Sequence, residues 1–132
     1  MLREEMERIP RLQQQLDKDC ERLAALEEMA AEIRAVPTDK EKVMTSHENR
    51  SMAVADKAID LHLKVEEEQR ELRRLRNEAI KAIKKAELKP SEREVLTLRY
   101  VNGLLWKDVA DIMNYDMAYV QRKHGWALDK MF

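Results

Sequence analysis

Arginine, glutamine, lysine and tyrosine side chains crowd the segment MAYVQRKH at residues 117–124. Gln121 and Arg122 can donate hydrogen bonds to base edges, and lysines can contact phosphates. Because residues three and four positions apart in a helix share a face, one helix here could present several of these groups together. The candidate DNA-contacting residues are Lys107, Met117, Ala118, Tyr119, Gln121, Arg122 and Lys123.

Histidine, cysteine and glycine are too few and too scattered for the usual catalytic or metal-binding patterns. The chain has three histidines, one cysteine and two glycines. These do not form zinc-ligand spacings or a glycine-rich phosphate loop. We therefore expect no enzymatic activity, no catalytic residue, no metal site and no cofactor.

Turn signals divide the C-terminal third into short helices. Pro90 ends a long helix, and Ser91 and Glu94 have the spacing of a capping box that starts a new one. Asn102 and Gly103 stop that helix, because both residues tolerate the left-handed conformation. A short helix (LWKDVADIM), a turn (NYD) and a final helix (MAYVQRKHGWALDKMF) follow.

The last two helices have the spacing of a helix-turn-helix motif. Ala110 lies where they would cross closely, Asn114 suits a turn residue with positive φ, and Asp116 can cap the final helix. The spacing of residues along the final helix predicts that Val120, His124, Ala127 and Leu128 face inward. Met117, Ala118, Tyr119, Gln121 and Arg122 then lie outward near the N-terminal end, which enters the major groove in such motifs.

The aromatic residues of this region are predicted to divide between core and surface. Tyr100 and Trp106 belong to the small core, Tyr115 packs at the turn, and Tyr119 lies on the DNA side. Trp126 could pack on the helical stalk or on a polymerase, and the sequence leaves these two alternatives open.

Two long amphipathic helices are predicted before this region. Over residues 1–35 the apolar residues share one face: Leu12, Leu16, Leu23, Leu26, Ala30 and Ile33. We place Cys20 on the same buried stripe, and read Pro10 as starting or kinking the helix, with residues 1–9 separate or frayed. From residue 53 to 86 a heptad-like seam contains one polar residue, Glu68. Pro37 and a polar segment predict a loop at about residues 36–52 between them.

The predicted fold is all-α, with an N-terminal helical hairpin (coiled-coil-like, residues 1–87) and a C-terminal helix-turn-helix domain (residues 88–132). A single hairpin buries little apolar surface, so we expect a homodimer, with a monomeric hairpin packed on the C-terminal domain as the alternative. The helices could pair within or between chains.

Composition limits the partners and the compartment. Charged residues make up 39% of the 132 residues, but the formal net charge is only −1. DNA binding would therefore come from a local surface and not from overall charge. One cysteine and the lack of a long apolar run predict a cytoplasmic protein that does not associate with a membrane.

The segment SEREVLTLRYVNGLLWKDVADIMNYDMAYVQRKHGWALDKMF (residues 91–132) resembles region 4 of bacterial sigma factors. The matching positions are Glu92 to Leu96, Arg99, Tyr100, Gly103, Val109, Ala110, Val120, Ala127 and Leu128. The layout of nearly the whole chain also resembles the sigma-like ArpU/RinA-type late-gene activators of phages and prophages. Trp106, Met113, Tyr115, His124 and Gly125 carry further matches.

The resemblance implies a transcription regulator of phage or prophage late genes in a bacterial host cell. It implies double-stranded DNA as ligand, a recognition helix at about residues 117–131, and host RNA polymerase as a possible partner. The alternative function is a coiled-coil adaptor that binds RNA polymerase or another protein without contacting DNA. The operator and the sign of regulation stay open.

Overall fold

The structure is a computed structural model that describes the backbone of residues 1–35 and 41–132 and the side chains of residues 1–33 and 48–132. This part of the chain is helical and contains no strand, which confirms the all-α prediction. The α-helices are α1 (Arg3–Ala35), α2 (Glu41–Lys85), α3 (Pro90–Leu96), α4 (Trp106–Met113) and α5 (Met117–Met131). A π-helical turn, Thr97–Val101, continues α3.

The described chain divides into two compact units. Unit 1 contains Met1–Gln13 and Glu71–Phe132, and unit 2 contains Gln14–Arg70. The predicted boundary between residues 87 and 88 does not coincide with this division. Within unit 1 the start of α1 joins the C-terminal helices, because Arg3 Nη1 lies 3.0 Å from Asp129 Oδ1 of α5. A new helix starts at Pro90, but residues before and after it belong to the same compact unit.

Helix α1 begins at Arg3 and continues through Pro10, so the prediction of a separate or frayed segment over residues 1–9 is wrong. Proline removes a backbone hydrogen bond inside a helix, which is destabilising. Met6 and Ile9, which precede the proline, are fully buried in unit 1. Their burial favours the helical path and offsets the lost bond.

The apolar stripe of α1 is largely as predicted, except that Asp19 is buried in place of Cys20. Leu16, Ala30 and Ile33 are buried. Cys20, however, is exposed, and the adjacent Asp19 is fully buried. Positions 12, 16, 19, 23, 26, 30 and 33 alternate by four and three residues, so the heptad seam passes through position 19. The prediction placed Cys20 on the buried stripe because cysteine is usually apolar and buried, but the heptad spacing assigns that place to Asp19.

Helix α2 begins at Glu41, so the predicted loop at residues 36–52 is wrong from residue 41 onward, whereas residues 36–40 lie outside the described part. No glycine or proline occurs between Pro37 and Pro90. Once packing has nucleated the later turns, each added residue needs only propagation. Loss of apolar periodicity therefore did not end the helix. Leu61, Val65, Leu72, Leu75 and Ala79 form its buried seam together with Glu68.

The start of α3 differs from the predicted capping box at Ser91 and Glu94. The N-cap is Lys89, Pro90 occupies the first turn, and the Lys89 backbone N–H donates to Glu92 Oε1 at 3.1 Å. Proline fits the first turn because its missing N–H has no partner there in any helix. Gly103, after the π-helical turn, adopts φ +70° as its predicted role requires. A Cβ there would lie 2.8 Å from Arg76 Nη2.

Candidate nucleic-acid interface

A small core joins α3, α4 and α5. Val95, Val109 and Val120 are completely buried, and Ala110 is nearly so. Partly buried apolar side chains cover this cluster: Leu98, Leu104, Trp106 and Met113. Ala110 thus lies in the core, as its predicted place at the helix crossing requires, together with Val109 and Met113. Burial of these residues fixes which side of α5 remains on the surface.

The turn between α4 and α5 depends on Asn114. This residue has φ 62° and ψ 36°, the left-handed conformation predicted from the sequence. Its backbone N–H bonds to Ala110 O, and the Tyr115 N–H bonds to the same oxygen at 3.1 Å. Asp116 occupies the N-cap of α5 as predicted, but its side chain makes no capping hydrogen bond.

Five of the seven candidate residues lie on the surface: Lys107, Met117, Ala118, Gln121 and Arg122 are exposed, and Tyr119 is partly buried. Met117, Ala118, Gln121 and Arg122 occupy the first two turns of α5. Val120, Ala127 and Leu128 are buried as predicted. The N-terminal half of α5 therefore presents two polar and two apolar side chains at one side of the small core.

Lys123 differs from its prediction as an outward phosphate contact. It is only 8% exposed, and its Nζ donates to Ser91 Oγ at 2.8 Å. Position 123 lies three residues after Val120 and four before Ala127, which places it on the inward stripe. Its aliphatic stem is buried while the ammonium reaches the edge of α3, the behaviour of long basic side chains at apolar surfaces.

Three aromatic rings form an edge-to-face row beside this surface. The Tyr115 and Tyr119 ring centroids lie 5.0 Å apart, and the Tyr119 and Trp126 centroids lie 6.3 Å apart. Tyr115 is 45% exposed and Trp126 is 51% exposed. In unit 1 Trp126 thus contacts its own helix and keeps half of its surface accessible. The row stiffens Tyr119 without burying all of it.

Arg122 carries the cation that is best placed to contact a ligand. Its Cζ lies 5.8 Å from the centroid of the Tyr119 ring, and no acidic side chain of the described residues lies within ion-pair distance. The aromatic face limits the positions of the guanidinium and leaves its N–H groups available. Lys107, in the first turn of α4, is also exposed and makes no ion pair among the described residues.

Two lysines of α5 hold this helix to α3, a pairing that was not predicted from the sequence. Lys130 Nζ donates to Glu92 Oε1 at 2.7 Å. This bond lies about two helical turns after the bond from Lys123 to Ser91. Glu92 is 2% exposed. The hydrogen bond from Lys130 is the main cause that lowers the pKa of Glu92, so the carboxylate stays charged. The seven-residue spacing of the two lysines was the available signal.

A second polar contact lies inside the same unit. The hydroxyl of Tyr100 is hydrogen-bonded to His124 Nε2, and the His124 ring packs edge-on against Trp106 at 4.7 Å. Arg99 lies over the Trp106 ring at 4.6 Å and donates to Leu104 O at 2.9 Å. These contacts confirm the predicted core positions of Tyr100, Trp106 and His124.

Burial sets the protonation of this contact. Burial, followed by the charge of Arg99, lowers the pKa of His124 to about 4. Burial also raises the pKa of Tyr100 to about 12. Both groups are therefore neutral at pH 7, and the phenol and imidazole act as a structural pair that holds α5 to the π-helical turn.

No protein-family model matches the chain, and comparison with curated proteins and with solved structures gives no significant match. Over the described residues, no helix combines the length and the apolar character needed to cross a membrane.

Proposed function

We propose that this chain is a sequence-specific DNA-binding transcription regulator that acts on phage or prophage late genes. In this proposal α4, the turn at Asn114 and α5 form a helix-turn-helix of the sigma-region-4 type. The recognition helix spans about residues 117–131. The observation that supports the proposal most strongly is the two-sided character of α5: Met117, Ala118, Gln121 and Arg122 are exposed, while Val120, Ala127 and Leu128 are buried in the core.

The four exposed side chains in the first two turns of α5 have a chemistry suited to the major groove. Arg122 can donate two hydrogen bonds to guanine, and Gln121 can bond adenine through its amide. Met117 and the Ala118 methyl offer apolar contacts to thymine methyl groups. Lys107 at the start of α4 is suited to a phosphate and would position the motif without reading sequence. Lys123 is excluded because its ammonium is bound to Ser91.

The long helices supply the assembly in this proposal. The heptad seams of α1 and α2 are buried within one chain, so in this proposal the helical hairpin pairs two subunits through apolar residues that stay exposed, such as Ile59 and Leu63, and sets the half-site spacing. Host RNA polymerase is the further partner that the resemblance to late-gene activators implies.

One observation favours the second candidate function, an adaptor that binds polymerase or another protein without contacting DNA. Tyr115, Met117 and Trp126 are 45%, 46% and 51% exposed near one another in sequence. Exposed aromatic residues and methionine are enriched in protein interfaces. They are equally accessible to a protein and to a DNA groove, so the experiment has to separate the two.

The test is a pull-down of sheared bacterial genomic DNA by the purified full chain, followed by sequencing. We expect the wild type to enrich a small number of sites, and Tyr119→Ala/Arg122→Ala to lose that enrichment. A matched control, Arg50→Ala/Met52→Ala, removes one exposed arginine and one exposed large apolar residue from unit 2 and should keep it.

Absence of enrichment by a folded wild-type protein would contradict the DNA-binding proposal and favour the adaptor. Equal enrichment by the wild type and by Tyr119→Ala/Arg122→Ala would contradict the assignment of α5 as the reading helix.

A further inference from the structure

The last turns of α2 carry a charge imbalance that the proposed recognition surface does not use. Residues 71–85 contain six basic and two acidic side chains in a chain whose net charge is −1. Five of the basic residues are exposed, and one of them, Arg74, makes ion pairs within the helix. We call the other four the basic face: Arg73, Lys81, Lys84 and Lys85.

The acidic residues of the same segment do not neutralise the basic face. Arg74 binds both of them, with Nη2 2.7 Å from Glu71 Oε1 and Nη1 2.9 Å from Glu78 Oε1. Arg8 approaches Glu71 as well, at 3.7 Å. Among the described residues, no acidic side chain lies within ion-pair distance of the basic face. Its cations are therefore open to an external anion.

Stabilisation of α2 by its helix dipole explains only part of the positive charge on the basic face. Lys84 and Lys85 lie in the last turn of α2, where the helix dipole favours positive charge. Arg73 lies three turns earlier and gains nothing from that dipole. Lys81 also stands three and four residues before Lys84 and Lys85, a spacing at which like charges destabilise a helix. A polyanion bound to this face would remove that repulsion.

The composition of the basic face fits a phosphate backbone better than a protein. Lysine is depleted in protein interfaces, which rely on buried aromatic and apolar anchors. Here the one large apolar neighbour is Ile80, which is 44% exposed. From Arg73 to Lys85 the helix rises by roughly 18 Å at about 1.5 Å per residue. A row of cations of that length matches the repeating charges of a nucleic-acid strand.

We propose that the basic face of α2 is a second DNA contact, which binds the phosphate backbone without reading sequence. The inference rests on the proposed function, because the basic face and α5 belong to the same unit and would engage the same duplex. The basic face then supplies the salt-dependent part of the affinity, and α5 supplies the sequence preference.

The experiment measures the affinity of the full chain for a fluorescent random-sequence duplex of about 30 base pairs over a series of salt concentrations. The variant Lys81→Gln/Lys84→Gln/Lys85→Gln removes three charges and keeps helix propensity. We expect the slope of log affinity against log salt to fall in magnitude by about 2–3, since each phosphate contact contributes about 0.9. Circular dichroism checks that the variant retains its helices.

A control with the same loss of charge, Lys18→Gln/Arg50→Gln/Lys57→Gln, alters exposed sites of unit 2 and should leave the slope unchanged. An equal fall in both variants would overturn the inference, because overall charge would then explain it. An unchanged slope in the Lys81 variant would also overturn it.

The genomic pull-down separates this inference from the proposed function. We expect the Lys81 variant to enrich the same sites as the wild type, with weaker binding. Site selection by the wild type together with an unchanged slope in the variant refutes the basic-face contact alone. Failure of the wild type to bind any duplex at low salt refutes both. A change of oligomeric state in the variant, without a change in slope, would instead assign the basic face to a second copy of the chain.

Discussion

Asp19 of α1 and Glu68 of α2 place two buried carboxyl groups beside the same lysine, Lys64, inside the helical seam of unit 2. Asp19 is fully buried, and Glu68 is 9% exposed. Lys64 Nζ lies 3.3 Å from Asp19 Oδ2 and 3.8 Å from Glu68 Oε1, and Gln15 and Arg22 also approach Asp19. Gln15 donates to Asp19 Oδ1, but Asp19 Oδ2 and both Glu68 oxygens have no hydrogen-bond donor among the described residues. A proton on Glu68 supplies a donor between the two carboxyl groups.

The two carboxyl groups respond to this contact in opposite directions. Burial, the hydrogen bond to Asp19 and its charge raise the pKa of Glu68 to about 7. The hydrogen bond from Glu68 is the main cause that lowers the pKa of Asp19. In the folded chain the proton therefore belongs to Glu68, and the Asp19 carboxylate accepts it in a hydrogen bond.

The first prediction concerns stability at rising pH. A group whose pKa is raised on folding stabilises the fold below its unfolded pKa, and that stabilisation disappears as pH passes the folded pKa. For Glu68 the unfolding free energy should thus fall as pH rises from about 4.5 through about 7. Urea unfolding of wild type and Glu68→Gln at several pH values measures this. Glu68→Gln should lack the decline, since the amide donates a hydrogen bond at any pH; parallel profiles would contradict the shared proton.

The second prediction concerns replacement of the pair by leucine. A buried polar pair is often no more stabilising than apolar residues of similar volume, because desolvation opposes the attraction. Asp19→Leu/Glu68→Leu should therefore raise the unfolding free energy by on the order of 1–4 kcal/mol at pH 8. Glu68→Leu alone keeps Asp19 as a buried carboxylate and should be less stable than the double variant. A double variant less stable than wild type would show that the pair stabilises the seam in net terms.

The third prediction concerns His124. Because burial lowers its pKa to about 4, the imidazole should remain neutral in the folded chain down to about pH 5. Unfolded histidine takes up its proton near pH 6.5. This contribution to stability is thus present above about pH 6.5 and is lost as pH falls toward 4, opposite to the trend from Glu68. NMR titration of the ring protons, assigned with His124→Gln, measures it; a midpoint near 6.5 would contradict the buried contact with Tyr100.

The fourth prediction concerns the left-handed residue Asn114. Glycine adopts positive φ freely, so Asn114→Gly should change the unfolding free energy little. Asn114→Val should lose about 1–2 kcal/mol, because a branched side chain clashes in this conformation. The exposed helical site Ile112 gives the control, since Ile112→Val should stay within about 0.5 kcal/mol. Equal losses at the two sites would indicate that φ at Asn114 is not a constraint.

Periodic features of the fold could be predicted from the sequence. Heptad spacing found the buried stripes of α1 and α2, and Glu68 was recognised as a polar residue in its seam. The positive φ of Asn114 and the buried positions of Val120, Ala127 and Leu128 also followed from local patterns. These features depend on the geometry of one helix or one turn, which spacing encodes directly.

Features that depend on packing between helices could not be predicted in the same way. The burial of Asp19 in place of Cys20 requires a partner for a carboxyl group, and Glu68 lies 49 residues away in the sequence. The inward position of Lys123 follows from its spacing to Val120 and Ala127, but its hydrogen-bond partner, Ser91, lies on another helix. Helix α2 extends to residue 41 because cooperative propagation needs no apolar pattern.

The central claim is that Arg122 reads base sequence, and the most direct measurement compares two duplexes at one salt concentration. One duplex carries a site recovered by the pull-down, and the other carries the same bases shuffled. We predict that Arg122→Ala weakens binding to the recovered site by about 1–3 kcal/mol and leaves the shuffled duplex nearly unchanged, whereas Lys107→Ala weakens both equally. Equal binding of the wild type to both duplexes, or an Arg122→Ala loss that does not distinguish them, would contradict the claim.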